Sequence, residues 1–242
     1  MKKLTMLLLA TGILMLCTCC GNIKVSKIDS SKDFVYDSEY TYDGVENKSY
    51  ISETMEKEYS INDIVLPFIN INSEDAIKTN NEIQQIFEEL ALEFKGELEQ
   101  EHPTYYSISN YNKYINGDIL SVVIKLESGG TAPEVNRYFS YNFDLKTGQK
   151  LSYNDIYTKA GFDDSSIEIK VKNAIKNNEI FDFIEGDERF NTYTDKSIQK
   201  YKNAVEDESV GCFLDSEGKF NVIVVLVAPV GNEIFETVIP IE

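Results

Sequence analysis

Histidine is almost absent: His102 stands alone in 242 residues, and tryptophan does not occur. A hydrolytic zinc site needs two or three imidazoles, or thiolates in their place, and one His with one distant Cys does not make one. A Ser-His-Asp triad would have to recruit His102, which lies in Gln100-Glu101-His102-Pro103 with no G-x-S-x-G elbow beside it. Cysteine is as sparse. Cys17, Cys19 and Cys20 cluster near the N-terminus, leaving Cys212 without a partner, so packing rather than disulfides must hold the fold. Basic residues are few, 23 against 41 acids, for a formal charge of −18. Such a field disfavours nucleic acid and anionic lipid and draws cationic partners. No phosphate-cradling loop occurs, because Gly129-Gly130 is followed by Thr131-Ala132-Pro133 and not by Gly-Lys-Ser/Thr. No metal or cofactor is therefore expected.

What is present begins at the N-terminus. Lys2 and Lys3 precede an apolar run from Leu4 to Leu16, the n- and h-regions of a secretory signal. The run is too short to span a bilayer, which takes about twenty apolar residues. It ends in Cys17-Thr18-Cys19-Cys20-Gly21-Asn22, which resembles a bacterial lipoprotein signal whose cysteine becomes the lipid-modified N-terminus. Cys19 has Leu16 and Thr18 before it, while Cys20 has Gly-Asn after it; both remain candidates for lipidation. The rival reading is an uncleaved membrane anchor. Removal of the signal takes both lysines, so the mature balance is 23 − 2 = 21 bases against 41 acids, or −20.

Residues 1–19 are thus read as signal peptide and 20–50 as a polar tether with a strand towards its end, with 51–160 and 161–242 as two α+β subdomains. From Tyr59 to Ile71 the chain is β-branched and broken by Pro67, as in a bent or edge strand. Ser73 caps a helix whose Ile83, Ile86, Phe87, Leu90, Phe94 and Leu98 follow helical spacing. Glu82, Glu88, Glu89, Glu93 and Glu97 lie mostly on its other face. Three strands follow, Tyr105 to Tyr114, Ile119 to Glu127 and Tyr138 to Leu145, with Asn116-Gly117 as a hairpin turn. Ile167, Val171, Ala174 and Ile175 mark one further helix, and Ile198, Tyr201 and Val205 a short second one. Strands at Val210 to Leu214, Phe220 to Ala228 and Ile234 to Ile241 close the chain. Helices and strands come in blocks, which predicts α+β with antiparallel sheets packed against a long amphipathic helix and two shorter ones.

Carboxylates are the one catalytic group in quantity. Asp163-Asp164, Asp187-Glu188 and Glu206-Asp207-Glu208 would each supply part of an acid/base pair for glycoside hydrolysis, or stand as solvated loops. EF-hand spacing is absent, since Asp215-x-Glu217-Gly218 is only a short turn. Cys212 alternates with Val210 and Leu214 on one strand face and reads as a buried structural thiol.

The run from Tyr141-Asn142-Phe143-Asp144-Leu145-Lys146-Thr147-Gly148-Gln149-Lys150-Leu151 to Asp155-Ile156-Tyr157 resembles a signature of one extracytoplasmic domain family. This is the domain-of-unknown-function family of RsiV-like, lysozyme-sensing anti-sigma factors and of the N-terminal region of PdaC-like peptidoglycan deacetylases. Phe213-Leu214-Asp215-Ser216-Glu217-Gly218-Lys219-Phe220, with Val227-Ala228-Pro229 and Ile239-Pro240, is similar to the family's second half. One departure is plain: Ser128-Gly129-Gly130-Thr131 lacks the histidine of a Gly-Gly-x-His-like element. An anti-sigma role would need a cytoplasmic segment and a deacetylase its own metal-bearing domain. The resemblance thus implies the sensing or binding module alone.

The expected function is a non-enzymatic surface lipoprotein at the extracytoplasmic face of a bacterial membrane. Its partner would be a cationic protein such as a lysozyme, or peptidoglycan. Gly129, Gly130 and Thr131 form one candidate contact loop, and Tyr105 and Tyr106 open a Tyr-rich run that includes Tyr111 and Tyr114. The alternatives are a carboxylate-dependent cell-wall hydrolase and an assembly subunit. A hydrolase would place a carboxylate pair in a concave pocket with a raised pKa. An assembly subunit would show an open edge strand near Ile241-Glu242.

Overall fold

The computed structural model describes residues 33–103, 106–129, 135–229 and 234–242. Residues Asp33–Glu242 form one compact unit. In chain order the elements are β1 (Val35–Asp37), β2 (Ser49–Ser52), β3 (Lys57–Ser60), β4 (Pro67–Ile69) and α1 (Glu74–Leu98). The long strands β5 (Tyr106–Asn116), β6 (Ile119–Gly129) and β7 (Val135–Asp144) follow. Then come α2 (Tyr153–Lys159), α3 (Asp164–Lys176), α4 (Glu188–Glu206), β8 (Cys212–Leu214), β9 (Phe220–Val227) and β10 (Ile234–Ile241). The sheets have the orders β5-β6-β7, β10-β9-β8, β1-β4 and β2-β3, and every named pair is antiparallel. The fold is α+β.

Helix α1 begins where Ser73 Oγ accepts from the Ala76 N–H at 3.1 Å, satisfying one of the donors a helix start leaves open. Its apolar stripe, Ile83, Ile86, Phe87, Leu90 and Phe94, is buried against Leu120, Val122, Ile124 and Leu126 of β6 and Phe143 of β7 in one core cluster. Glu97 departs from the expected outer face. It is buried near the helix end, where it accepts from Gln100 Nε2 at 2.9 Å.

The second core gathers Ile167, Val171 and Ile175 of α3, Ile198 and Tyr201 of α4, and the inner faces of β8, β9 and β10. Ile156 and Tyr157 also belong to it, as does Ile119 of β6. Strand β6 is buried on both faces, because Ile119, Ser121 and Val123 look away from α1. α4 is a full 19-residue helix rather than a short one, with Val205 exposed.

A polar staple joins the two halves. Ser121 Oγ donates to Asn142 Oδ1 at 2.7 Å, and Asn142 Nδ2 donates to the Cys212 carbonyl at 2.8 Å. Ser140 Oγ accepts from the Cys212 N–H at 2.9 Å, and Ser121 Oγ accepts from the Leu214 N–H at 3.3 Å. Side chains of β6 and β7 thus stand in for the strand that would otherwise complete the edge of β8.

Two expectations need correction. The tether does not extend to residue 50: Val35 and Val45 are buried at 1% and 0% exposure, β1 pairs with β4 and β2 with β3. Two valines and four tyrosines among the polar residues of 33–50 supply enough apolar surface to dock that segment on α1. The β5–β6 turn is Gly117-Asp118 and not Asn116-Gly117, since Asn116 pairs with Ile119. Positive φ falls on Gly117 (57°) and not on both central residues, as in a II′ turn.

Candidate functional site

The residues singled out from sequence divide sharply. Tyr106 and Gly129 are register partners, which sets these two candidates opposite each other at one end of the central sheet. Tyr105, Gly130 and Thr131, like Cys19 and Cys20, lie outside the described residues. Further along β5 the tyrosines are committed to structure. Tyr111 donates to Asp37 Oδ1 at 2.7 Å, and Tyr114 stacks on Phe213 with ring centroids 5.4 Å apart.

The signature after β7 is built as a turn. Asp144 Oδ1 accepts from the Lys146 and Thr147 N–H groups at 2.9 and 3.0 Å, which holds its carboxyl below the usual carboxylate range. Gly148 has φ 73°, and a Cβ there would lie 2.8 Å from Ser73 Cβ at the cap of α1. The Lys150 N–H then donates to Asp75 Oδ2 at 2.9 Å. The second motif repeats the device, with Asp215 Oδ1 accepting from the Glu217 and Lys219 N–H groups at 2.9 Å and Gly218 at φ 80°.

Two of the acidic pairs that a hydrolase would draw on act as helix caps. Asp163 caps α3, Asp164 accepts from the Tyr157 hydroxyl at 2.6 Å, and Asp187 caps α4 while holding Arg189. His102 is exposed and faces Glu53 at 3.4 Å. Among the described residues no cluster of His, Cys, Asp and Glu would hold a metal, and no helix is long and apolar enough to cross a membrane. Cys212 is 2% exposed, and burial pushes its thiol pKa up to about 12.

A cleft of about 550 Å³ opens beside the staple. One wall is β7 from Tyr138 to Asn142 with the loop from Lys150 to Tyr153; the other is the end of α4 and its exit, Lys200 to Val210. Gly211, Cys212 and Ile223 to Val225 also line it. Glu82 and Glu236 contribute carboxylates. Glu236 Oε2 accepts from the Tyr138 N–H at 2.6 Å, and burial raises its carboxyl pKa against the opposing effect of that bond. Lys150 lies 3.5 Å from Glu82 and 5.1 Å from the centre of the Tyr141 ring. Tyr153 and Tyr201 share a hydrogen bond of 2.8 Å between their hydroxyls, and burial is the chief cause that raises both pKa values.

The cleft was invisible to motif reading, since its charged residues come from α1, the signature loop, α4 and β10. The alternation of Ser121, Ser140 and Asn142 opposite the apolar face of the sheet was the available signal. Comparison of the chain with protein-family models, curated proteins and solved structures found no match.

Proposed function

We propose that this chain is a lipid-anchored, non-enzymatic binding module at the extracytoplasmic face of a bacterial membrane. Cys19 or Cys20 carries the lipid. The folded body recognises a cationic protein such as a lysozyme, or peptidoglycan. One observation carries the reading of a binding surface: the Tyr106–Gly129 register pair, which brings two candidate contacts together at the end of one hairpin of the central sheet. The signal-like N-terminus supports this location, and the charge of −18 supports a cationic partner.

The test is a pull-down of residues 22–242 against lysozyme and purified peptidoglycan, at low and moderate salt, with an unrelated protein of equal charge as control. Saturable capture that survives moderate salt and exceeds the control supports the reading. Capture that matches the control refutes it. Metabolic labelling with palmitate, lost on Cys19→Ala or on Cys20→Ala, tests the anchor.

One observation favours the hydrolase alternative: Glu236 is a half-buried carboxylate of raised pKa in the cleft. Its bond to the Tyr138 N–H gives it a structural task instead. Release of reducing ends from peptidoglycan that vanishes in Glu236→Gln would reverse the choice.

A further inference from the structure

Along its outer edge, β7 leaves backbone groups open around Ser140. The outward-facing N–H of Tyr138 is taken by Glu236, and the outward-facing carbonyl of Asn142 accepts from the Leu151 N–H at 2.8 Å. Backbone groups alternate sides along a strand, so Ser140, between them, also turns its N–H and C=O away from β6. Neither group has a backbone partner among the described residues. Ser140 is only half-buried and lines the cleft, while its Oγ is engaged below with the Cys212 N–H. Beside it stands Tyr141, 6% exposed, whose hydroxyl makes no hydrogen bond among the described residues.

An open strand edge inside a cleft is a template for one more strand. We propose that the cleft takes an extended, cationic peptide segment of a partner protein, paired to β7 at Ser140. This rests on the reading of a cationic partner and gives it a second, separate contact. The span from Tyr138 to Asn142 admits about five residues at roughly 3.4 Å each. Charge decides the occupant. A second copy of a chain of −18 would be repelled, whereas exposed Glu208 in the lining and Glu236 at the edge favour alternate basic side chains. Lys150 is already matched to Glu82, which leaves Lys200 as the one opposing cation among the lining residues. Glu208 is held at φ 53°, in the left-handed region that glycine fills at lower cost, immediately after α4.

The probe is a fluorescein-labelled Val-Lys-Val-Lys-Val-Lys hexapeptide, read by anisotropy against residues 22–242. Its controls are the Val-Glu counterpart and a Val-Lys form N-methylated at alternate amides. The Val-Lys peptide should bind about tenfold or more tightly than the Val-Glu peptide at moderate salt. N-methylation should remove about as much again by deleting the backbone donors. Ala204→Trp, which fills the cleft from α4, should abolish binding with an unchanged melting curve, and Glu208→Lys should weaken it. The Ser140 amide should gain protection from hydrogen exchange in the complex. Equal binding of the methylated peptide, or binding undiminished by Ala204→Trp, overturns the proposal. Dimerisation through this edge without peptide binding also overturns it. Failure of the lysozyme and peptidoglycan pull-downs with hexapeptide binding intact sinks the proposed function alone.

Discussion

Replacing Asn142 with alanine tests whether the polar staple holds the two halves together. Asn142 is 4% exposed and makes two side-chain hydrogen bonds, one with Ser121 and one to the Cys212 carbonyl. Each such bond contributes about 0.5–1.5 kcal/mol net, and a buried group left unsatisfied costs about 1–3 kcal/mol. Alanine orphans the Cys212 carbonyl, while Ser121 keeps the Leu214 N–H as its donor. The expected loss is therefore about 2–4 kcal/mol, rather than the sum of all terms. For a body of this size each kcal/mol lowers Tm by about 2–4 °C, so the melt should fall by roughly 5–15 °C. Urea titrations followed by far-UV circular dichroism give the free energy directly. A cycle with Ser121→Ala should show coupling of about 0.5 kcal/mol or more, since the two side chains share one bond. A loss below about 1 kcal/mol, or strict additivity in the cycle, would refute the assignment of stability to the staple.

Other consequences are as open to measurement. The Cys212 thiol should resist a disulfide reagent at pH 8 in the folded chain and react at once in denaturant, because burial keeps it protonated. Gly148→Ala should cost more than about 1 kcal/mol in a urea titration, since the residue has positive φ and its Cβ would press on Ser73. Glu208→Gly should stabilise by about 0.5–1 kcal/mol in the same assay by removing the left-handed strain. For Glu236 the folded pKa lies above the unfolded one, so the folded chain holds the proton longer. Its contribution is full below the unfolded carboxyl pKa and is lost as pH rises through the folded value. Glu236→Gln should flatten the part of the stability profile that falls as pH rises above the ordinary carboxyl range.

Local periodicity made much of the fold legible. The stripe on α1, the alternation Leu120, Val122, Ile124, Leu126 and the cap at Ser73 are all short-range signals, and each lies where the spacing predicts. Contacts between distant segments were not legible. Val35 and Val45 are isolated valines in polar sequence, and their burial comes from a core cluster that β4, α1, β6 and β7 build together. The turn at Gly117 slipped by one residue because Asn-Gly and Gly-Asp both suit a two-residue loop, and cross-strand register decides between them. The candidate contacts at Tyr106 and Gly129 were found separately, and the register pairs them. Glu236 and the open edge at Ser140 had no local signature, because a cleft is made by elements meeting.

The early start of the folded body sets a limit on distance. On the proposed anchoring at Cys20, 33 − 20 = 13 residues separate the lipid from Asp33, the first described residue. Such a length spans at most about 45 Å by whatever path it takes. The body itself has a radius of gyration of about 17 Å. The leash is thus no longer than the object it holds. On the proposed anchoring, a partner would have to come within that distance of the membrane to be met.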